Sequence, residues 1–146
     1  MYTINVIPND IKENMTGSGL VAITYGKLFV FDKDKQLDVW PYWSGGWGKG
    51  PIPRGIYILR NIVRLEDTEN NKAFKRDGFP WYAELECPEY VLREGRDSLG
   101  IHPEGNLPGT LGCVGIIERD PQCYSLLYDI IKISRQKNER IKVYAI

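Results

Sequence analysis

Leu20-Val-Ala-Ile-Thr-Tyr25 and Leu28-Phe-Val-Phe31 decide the fold class. β-branched and aromatic residues fit a pleated, half-buried surface, and two such runs so close together predict adjacent strands. Gly26-Lys27 between them reads as a two-residue hairpin turn. Asp32-Lys33-Asp34-Lys35 reads as a charged, solvated hairpin tip. On the N-terminal side, Met1 to Ile7 predicts a short strand closed by a Pro8-Asn9-Asp10 turn, and the polar segment Ile11 to Ser18 predicts a loop. On the C-terminal side, strands are expected through Val39-Trp40, over Ile56 to Val63, over Phe79 to Cys87, over Val114 to Ile117 and over Arg140 to Ile146. Arg64 to Gly78 is charged and polar, a long surface loop with at most one weak helical turn, placed so that it could flank a cleft. Asp120-Pro121 supplies an N-cap with proline at the first helical position. Cys123, Leu126, Leu127, Ile130 and Ile131 then repeat at three and four, so one amphipathic helix of about four turns runs to near Gln136. The expectation is a mainly β protein, a β-sandwich or small barrel with one principal C-terminal helix, forming a single domain over residues 1–146.

Composition narrows the function classes. Nineteen basic residues balance nineteen acidic ones over 146 residues, so no basic excess points to a nucleic-acid partner. No apolar stretch approaches the roughly eighteen residues of a spanning helix, and membrane insertion is not expected. Met1 to Asp10 lacks both a basic n-region and an apolar h-region, so synthesis in the cytoplasm without a Sec signal is expected unless a leader has been trimmed. Three cysteines leave at least one thiol free in any pairing scheme. Cys87 and Cys123 fall on apolar faces and read as core.

Chemistry concentrates in Gly100-Ile-His-Pro-Glu-Gly-Asn-Leu-Pro-Gly-Thr-Leu-Gly-Cys-Val-Gly-Ile116, which holds the one histidine of the chain, His102, and Cys113. A thiolate is the reactive form of cysteine, and an imidazole is the usual group that takes its proton. Fully extended, the gap between them would open to about 36 Å, so the segment must double back. Gly105, Asn106, Pro108, Gly109 and Gly112 are the turn formers that allow it. Backbone amides around Leu111 to Cys113, those of Gly112 and Cys113 above all, could converge on an oxyanion. A zinc site is not indicated, because one His and three Cys lack any close ligand pairing, and no metal or other cofactor is implied. Papain-like and NlpC-type cysteine peptidases place the nucleophile before the histidine; here His102 comes first.

Gln36 to Gly50 is the second informative stretch, with Trp40, Tyr42, Trp43 and Trp47 among four glycines. Rings beside glycine-rich backbone can wall a ligand cleft or pack as a small core, and composition leaves both open.

The order and spelling of these blocks resemble the L,D-transpeptidase (YkuD-like) family. Thr110-Leu111-Gly112-Cys113 is similar to its Ser/Thr-x-Gly-Cys loop, and Ile101-His102-Pro103 to its upstream histidine element. The resemblance is closest to the compact effectors of this type that type VI secretion systems deliver. Gly95-Arg96-Asp97-Ser98-Leu99-Gly100-Ile101-His102 matches their Gly-Arg-x-x-(Phe/Leu)-x-Ile-His run, and Ser44-Gly45 with Gly50-Pro51-Ile52-Pro53-Arg54-Gly55-Ile56-Tyr57 matches two further elements. One departure is Gly115, where many members carry Arg or Asn.

The resemblance implies acyl transfer on peptidoglycan stem peptides through a Cys113 thioester with His102 as base, either deprotonating the thiol or holding it as thiolate against imidazolium. Thr110 and Gly112 would shape the loop. Arg96, then Arg54, then Lys49 would meet substrate carboxylates, with Ser44, Gly45, Tyr42, Trp43 and Trp47 forming the rest of the binding surface. It further implies action in the periplasm or cell envelope after delivery that bypasses Sec, with an immunity protein and a secretion-system carrier as partners. Two alternatives stay open. One is a phage or mobile-element amidase or peptidase using the same Cys-His pair. The other is a non-catalytic peptidoglycan-binding module gripping its ligand with Trp40, Trp43 and Trp47, for which an unreactive buried thiol would be diagnostic, as a depressed thiol pKa would be for the enzyme.

Overall fold

The computed structural model describes residues 1–17, 19–105 and 109–146. The strands are β1 (Tyr2–Thr16), β2 (Gly19–Asp32), β3 (Lys35–Gly45), β4 (Gly55–Arg64), β5 (Trp81–Glu86), β6 (Gly100–Pro103), β7 (Val114–Ile116) and β8 (Ile141–Ala145). They close into a barrel in the order β1-β2-β3-β7-β6-β5-β4-β8. Of the two β architectures expected, the chain adopts the barrel. A 3₁₀ helix (Glu69–Phe74), α1 (Glu89–Arg93) and α2 (Asp120–Gln136) complete it.

Alternation places one face of each strand inside. Ile4, Val6, Leu28, Val30, Trp40, Tyr57, Leu59, Trp81, Ala83, Ile101, Val114, Ile116 and Val143 form one buried core, to which α2 adds Cys123, Leu127, Ile130 and Ile131. Each of those helical side chains contributes about 1.5–3 kcal/mol by leaving water, apart from the smaller cysteine. Among the described residues no helix is long and apolar enough to cross a membrane.

Four local expectations are corrected. The 11–18 segment is no loop where it is described: β1 continues to Thr16 and pairs with β2, and from Glu13 against Ala22 to Thr16 against Gly19 the two run beyond the end of β3 as a two-stranded ribbon, while Ser18 lies outside the described residues. The β1 side of the ribbon is mostly polar, and its apolar residues Ile11 and Met15 are exposed, so no buried face marks it as a strand. Gly26-Lys27 is not a turn but lies within β2. Pro8-Asn9-Asp10 is a register shift in β1, and a Cβ on Gly26 would lie 2.2 Å from the Ile7 carbonyl oxygen, so this glycine makes room for the kinked partner strand. The hairpin tip expected at Asp32 to Lys35 is present and joins β2 to β3, with Lys33 at φ 54°. At α2 the cap is Arg119, in the left-handed region, and Asp120 opens the helix with Oδ1 accepting the Asp77 N–H at 3.1 Å. That bond ties the 64–78 segment to the start of α2.

Candidate active site

The site lies on the outer face of the barrel where β5, β6 and β7 adjoin. β6 and β7 are parallel, with Ile101 opposite Val114 and His102 opposite Gly115; β5 and β6 are antiparallel, with Ala83 opposite Ile101. Because Ile101, Val114 and Ala83 point into the core, the neighbours Tyr82, His102, Cys113 and Gly115 point out. The histidine sits on β6 and the cysteine in the bend immediately before the parallel strand β7, rather than across a hairpin. Both line a cavity of about 710 Å³ with Phe74, Tyr82, Ser98 and Trp47. The 3₁₀ segment covers its flank through Lys72, Ala73 and Phe74, as the position of the 64–78 segment allows.

The imidazole is held on three sides. Phe74 meets it edge-on at 4.9 Å between centroids, and Tyr82 stacks at 6.1 Å. Nδ1 lies 2.7 Å from the Pro103 carbonyl oxygen. A carbonyl can only accept, so Nδ1 carries the proton and Nε2 is the atom free to act as a base. Burial, which leaves His102 6 % exposed, lowers its pKa to about 4, although the Pro103 carbonyl pulls the other way.

The sulfur accepts the Gly100 N–H at 3.3 Å and lies 3.8 Å from the Ser98 carbonyl oxygen. The Tyr82 hydroxyl, which donates to the same Ser98 carbonyl at 2.6 Å, is within hydrogen-bonding reach of it. Burial raises the thiol pKa, while the Gly100 amide, the Tyr82 hydroxyl and the Arg96 charge oppose that shift. The resting pair is thus neutral thiol and neutral imidazole, each bonded to backbone and neither to the other. The alternative of a resting thiolate against imidazolium does not describe this geometry. Cys113 also falls between the two thiol diagnostics: partly exposed on a cavity, yet with no depressed pKa. Alkylation by iodoacetamide, followed in a Cys87→Ser background because Cys87 is also partly exposed, is expected to rise along a titration above the ordinary thiol value of about 8.5. A plateau already reached by pH 7 would show a preformed ion pair instead.

The loop entering the cysteine is tied down by Thr110 and Ser44. Thr110 Oγ1 accepts the N–H groups of Gly45 and Gly112, each at 3.1 Å, and donates to the Cys113 carbonyl at 2.6 Å. Its own N–H donates to the Gly45 carbonyl at 2.6 Å. Ser44, fully buried, donates from Oγ to the Gly112 carbonyl at 3.3 Å and accepts the Ile52 N–H at 2.8 Å. Gly112 has φ 132°, outside the range comfortable for L side chains. Its N–H serves Thr110, so of the two amides considered for an oxyanion, that of Cys113 remains. Asn106 and Pro108, expected as turn formers, lie outside the described residues.

The expected binding residues divide. Trp47 lines the cavity; Ser44 and Gly45 hold the cysteine loop and do not face a ligand. Tyr42 is 2 % exposed in the core, where burial raises its hydroxyl to about 12, so it offers a ligand no surface. Trp40 is likewise buried, its Nε1–H on the Arg119 carbonyl at 3.1 Å, and Trp43 packs edge-on against Tyr25 at 5.6 Å. Arg54 does not line the cavity, and its backbone carbonyl takes the Tyr90 hydroxyl. Arg96 donates to the carbonyls of Lys49 and Gly50, at 3.3 and 2.9 Å, and lies over Gly112. It braces the loop and bears on the sulfur electrostatically without lining the cavity. Lys49 donates to the Glu94 carbonyl.

Phe74, Tyr82, Ser98 and Glu104 were not singled out from sequence. Tyr82 had a signal, as the outward aromatic in an otherwise acidic outer face of β5. Phe74 had none, because the 3₁₀ segment carries no periodicity. Glu104 answers the departure at Gly115: a Cβ there would lie 2.3 Å from Glu104 Oε2, so the glutamate occupies the space that a larger residue would take.

The chain matches no family model, and comparison with curated proteins and with solved structures gave no match.

Proposed function

We propose that this chain is a cysteine acyltransferase of L,D-transpeptidase (YkuD-like) type, acting on the stem peptides of peptidoglycan. The observation that supports it is that His102, on β6, and Cys113, in the bend that enters the parallel neighbour β7, open on one cavity. With both groups neutral at rest, Nε2 of His102 takes the thiol proton as the sulfur attacks the carbonyl before the terminal D-alanine, and the Cys113 amide meets the oxyanion. The imidazolium then protonates the leaving amine, giving a Cys113 thioester and free D-alanine. An amine acceptor completes transpeptidation or D-amino-acid exchange; water completes L,D-carboxypeptidase hydrolysis. The compact form of the domain fits a toxin made in the cytoplasm and delivered to the envelope by a secretion-system carrier, with an immunity protein to restrain it.

Mass spectrometry of purified sacculi and of a synthetic stem tetrapeptide tests this directly. Loss of one D-alanine is expected. Cleavage at any other bond would establish the amidase or peptidase reading, and no change in mass would defeat both enzyme readings. The binding-module reading loses its proposed grip, because Trp40, Trp43 and Trp47 do not share a surface.

The base must be unprotonated, and the His102 pKa is lowered to about 4. The acid limb of kcat/KM is therefore expected near pH 4, with activity retained through pH 5 to 6. A limb at the ordinary imidazole value of about 6.5 would mean that the ring is not enclosed in the working enzyme.

A further inference from the structure

Glu104 has no role in the chemistry above, yet it lies in the same cavity. It is 1 % exposed, Oε2 has no hydrogen-bond partner among the described residues, and this oxygen lies over Gly115, beside His102 in the sheet register. A buried carboxyl oxygen without a partner is costly, which calls for a ligand group to complete it. The charge around the cavity says which kind. The charged and titratable groups facing it are His102, Cys113, Tyr82, Asp97, Lys72 and, behind the Glu104 main chain, Arg76. Lys72 is paired with Glu69 at 2.6 Å. Arg76 donates to the Glu104 backbone carbonyl at 3.5 Å and offsets the carboxyl only in part. Asp97 forms no ion pair among the described residues. The arginines expected to greet a carboxylate line no part of the cavity. Among the described residues the cavity therefore presents two carboxyls, Glu104 and Asp97, and one lysine that is already paired.

We propose that Glu104 is a specificity residue that seats a primary aliphatic amine of the peptide substrate, Oε2 accepting from its ammonium group. This rests on the cavity being the substrate site of the reaction proposed above. Burial raises the carboxyl pKa to about 8, against the pull of Arg76 and the Gly109 amide, so the empty site holds the acid form at neutral pH. An arriving ammonium ion favours the carboxylate, and the carboxyl proton is released to solvent. A carboxylate or acetylated side chain at the same place would gain no ion pair.

The test uses the Cys113→Ala chain, so that binding is read without turnover, with two stem tetrapeptides carrying lysine or norleucine at the third position. Calorimetry at pH 7 in two buffers of different ionisation enthalpy gives affinity and proton exchange together. The lysine peptide is expected to bind at least about tenfold tighter, with close to one proton released, and Glu104→Gln in the same background is expected to remove both the preference and the proton. Equal affinity for the two peptides overturns the proposal, as does a preference that survives Glu104→Gln. Should the glutamine variant not fold, the peptide comparison and proton count in Cys113→Ala decide alone. If native chain leaves stem peptides unprocessed while the lysine preference holds, the reaction falls and the amine site stands; if D-alanine is released without any preference, the amine site falls alone.

Discussion

Replacing Cys113 by alanine is expected to lower release of D-alanine from a stem tetrapeptide by at least about 10³-fold, with the fold kept. In the proposed reaction the sulfur is the nucleophile and the neutral imidazole of His102, which lines the same cavity, activates it. Outside catalysis it does little. It accepts one amide, from Gly100, and Gly100 lies at the end of β6 rather than in the middle of the core ladder. Losing that contact costs about 1 kcal/mol. His102→Gln, which keeps a polar group between Phe74 and Tyr82, is expected to give a comparable loss. The double variant should be little worse than either single one, because the two groups act as a unit. Turnover within tenfold of the native chain in Cys113→Ala, with circular dichroism unchanged, would remove the thioester from the mechanism.

Thr110→Val is expected to destabilise the chain by about 4 kcal/mol, a large fraction of the stability of a typical domain. The substitution keeps the shape and deletes the hydroxyl, leaving the amides of Gly45 and Gly112 and the carbonyl of Cys113 without their shared partner. Each buried group so orphaned costs about 1–3 kcal/mol. Thr110→Ser retains all three bonds and loses a methyl group, so a cost of about 1 kcal/mol is expected. Urea unfolding of the three chains distinguishes these values. If valine costs no more than serine, the loop is held by something other than this hydroxyl, and the role given to Thr110 is wrong.

Much of the barrel could be read from the chain, and the gaps have physical causes. β-branched and aromatic runs marked β2 to β5 and β8, and the three-four repeat marked α2, because each of those elements buries one face against the core. The outer part of β1 buries no such face, its Ile11 and Met15 being exposed, so period-two patterning had nothing to act on, and Gly26 looked like a turn when its lack of a side chain serves the kink opposite. α1 is too short to show a period. At the site, His102 and Cys113 could be found by residue type and setting, and Thr110 by the resemblance of Thr110-Leu111-Gly112-Cys113 to a family motif. The inward or outward direction of the aromatics could not: Trp40 and Tyr42 point into the core, while Trp47 reaches the cavity beyond the end of β3. Nor could spacing show that Ser44 and Gly45, some seventy residues upstream, hold the cysteine loop.

β8 lies parallel to β1 on one side and antiparallel to β4 on the other, with Thr3 against Lys142 and Gly55 against Ala145. A growing chain that has not yet reached residues 141–145 carries two bare sheet edges, Thr3 to Val6 and Gly55 to Leu59, with all earlier strands already made. Open edges of that kind invite pairing with other chains, and contacts between such distant segments form slowly. The barrel can therefore shut only when the last five-residue strand of the described fold, β8, is in place between β1 and β4.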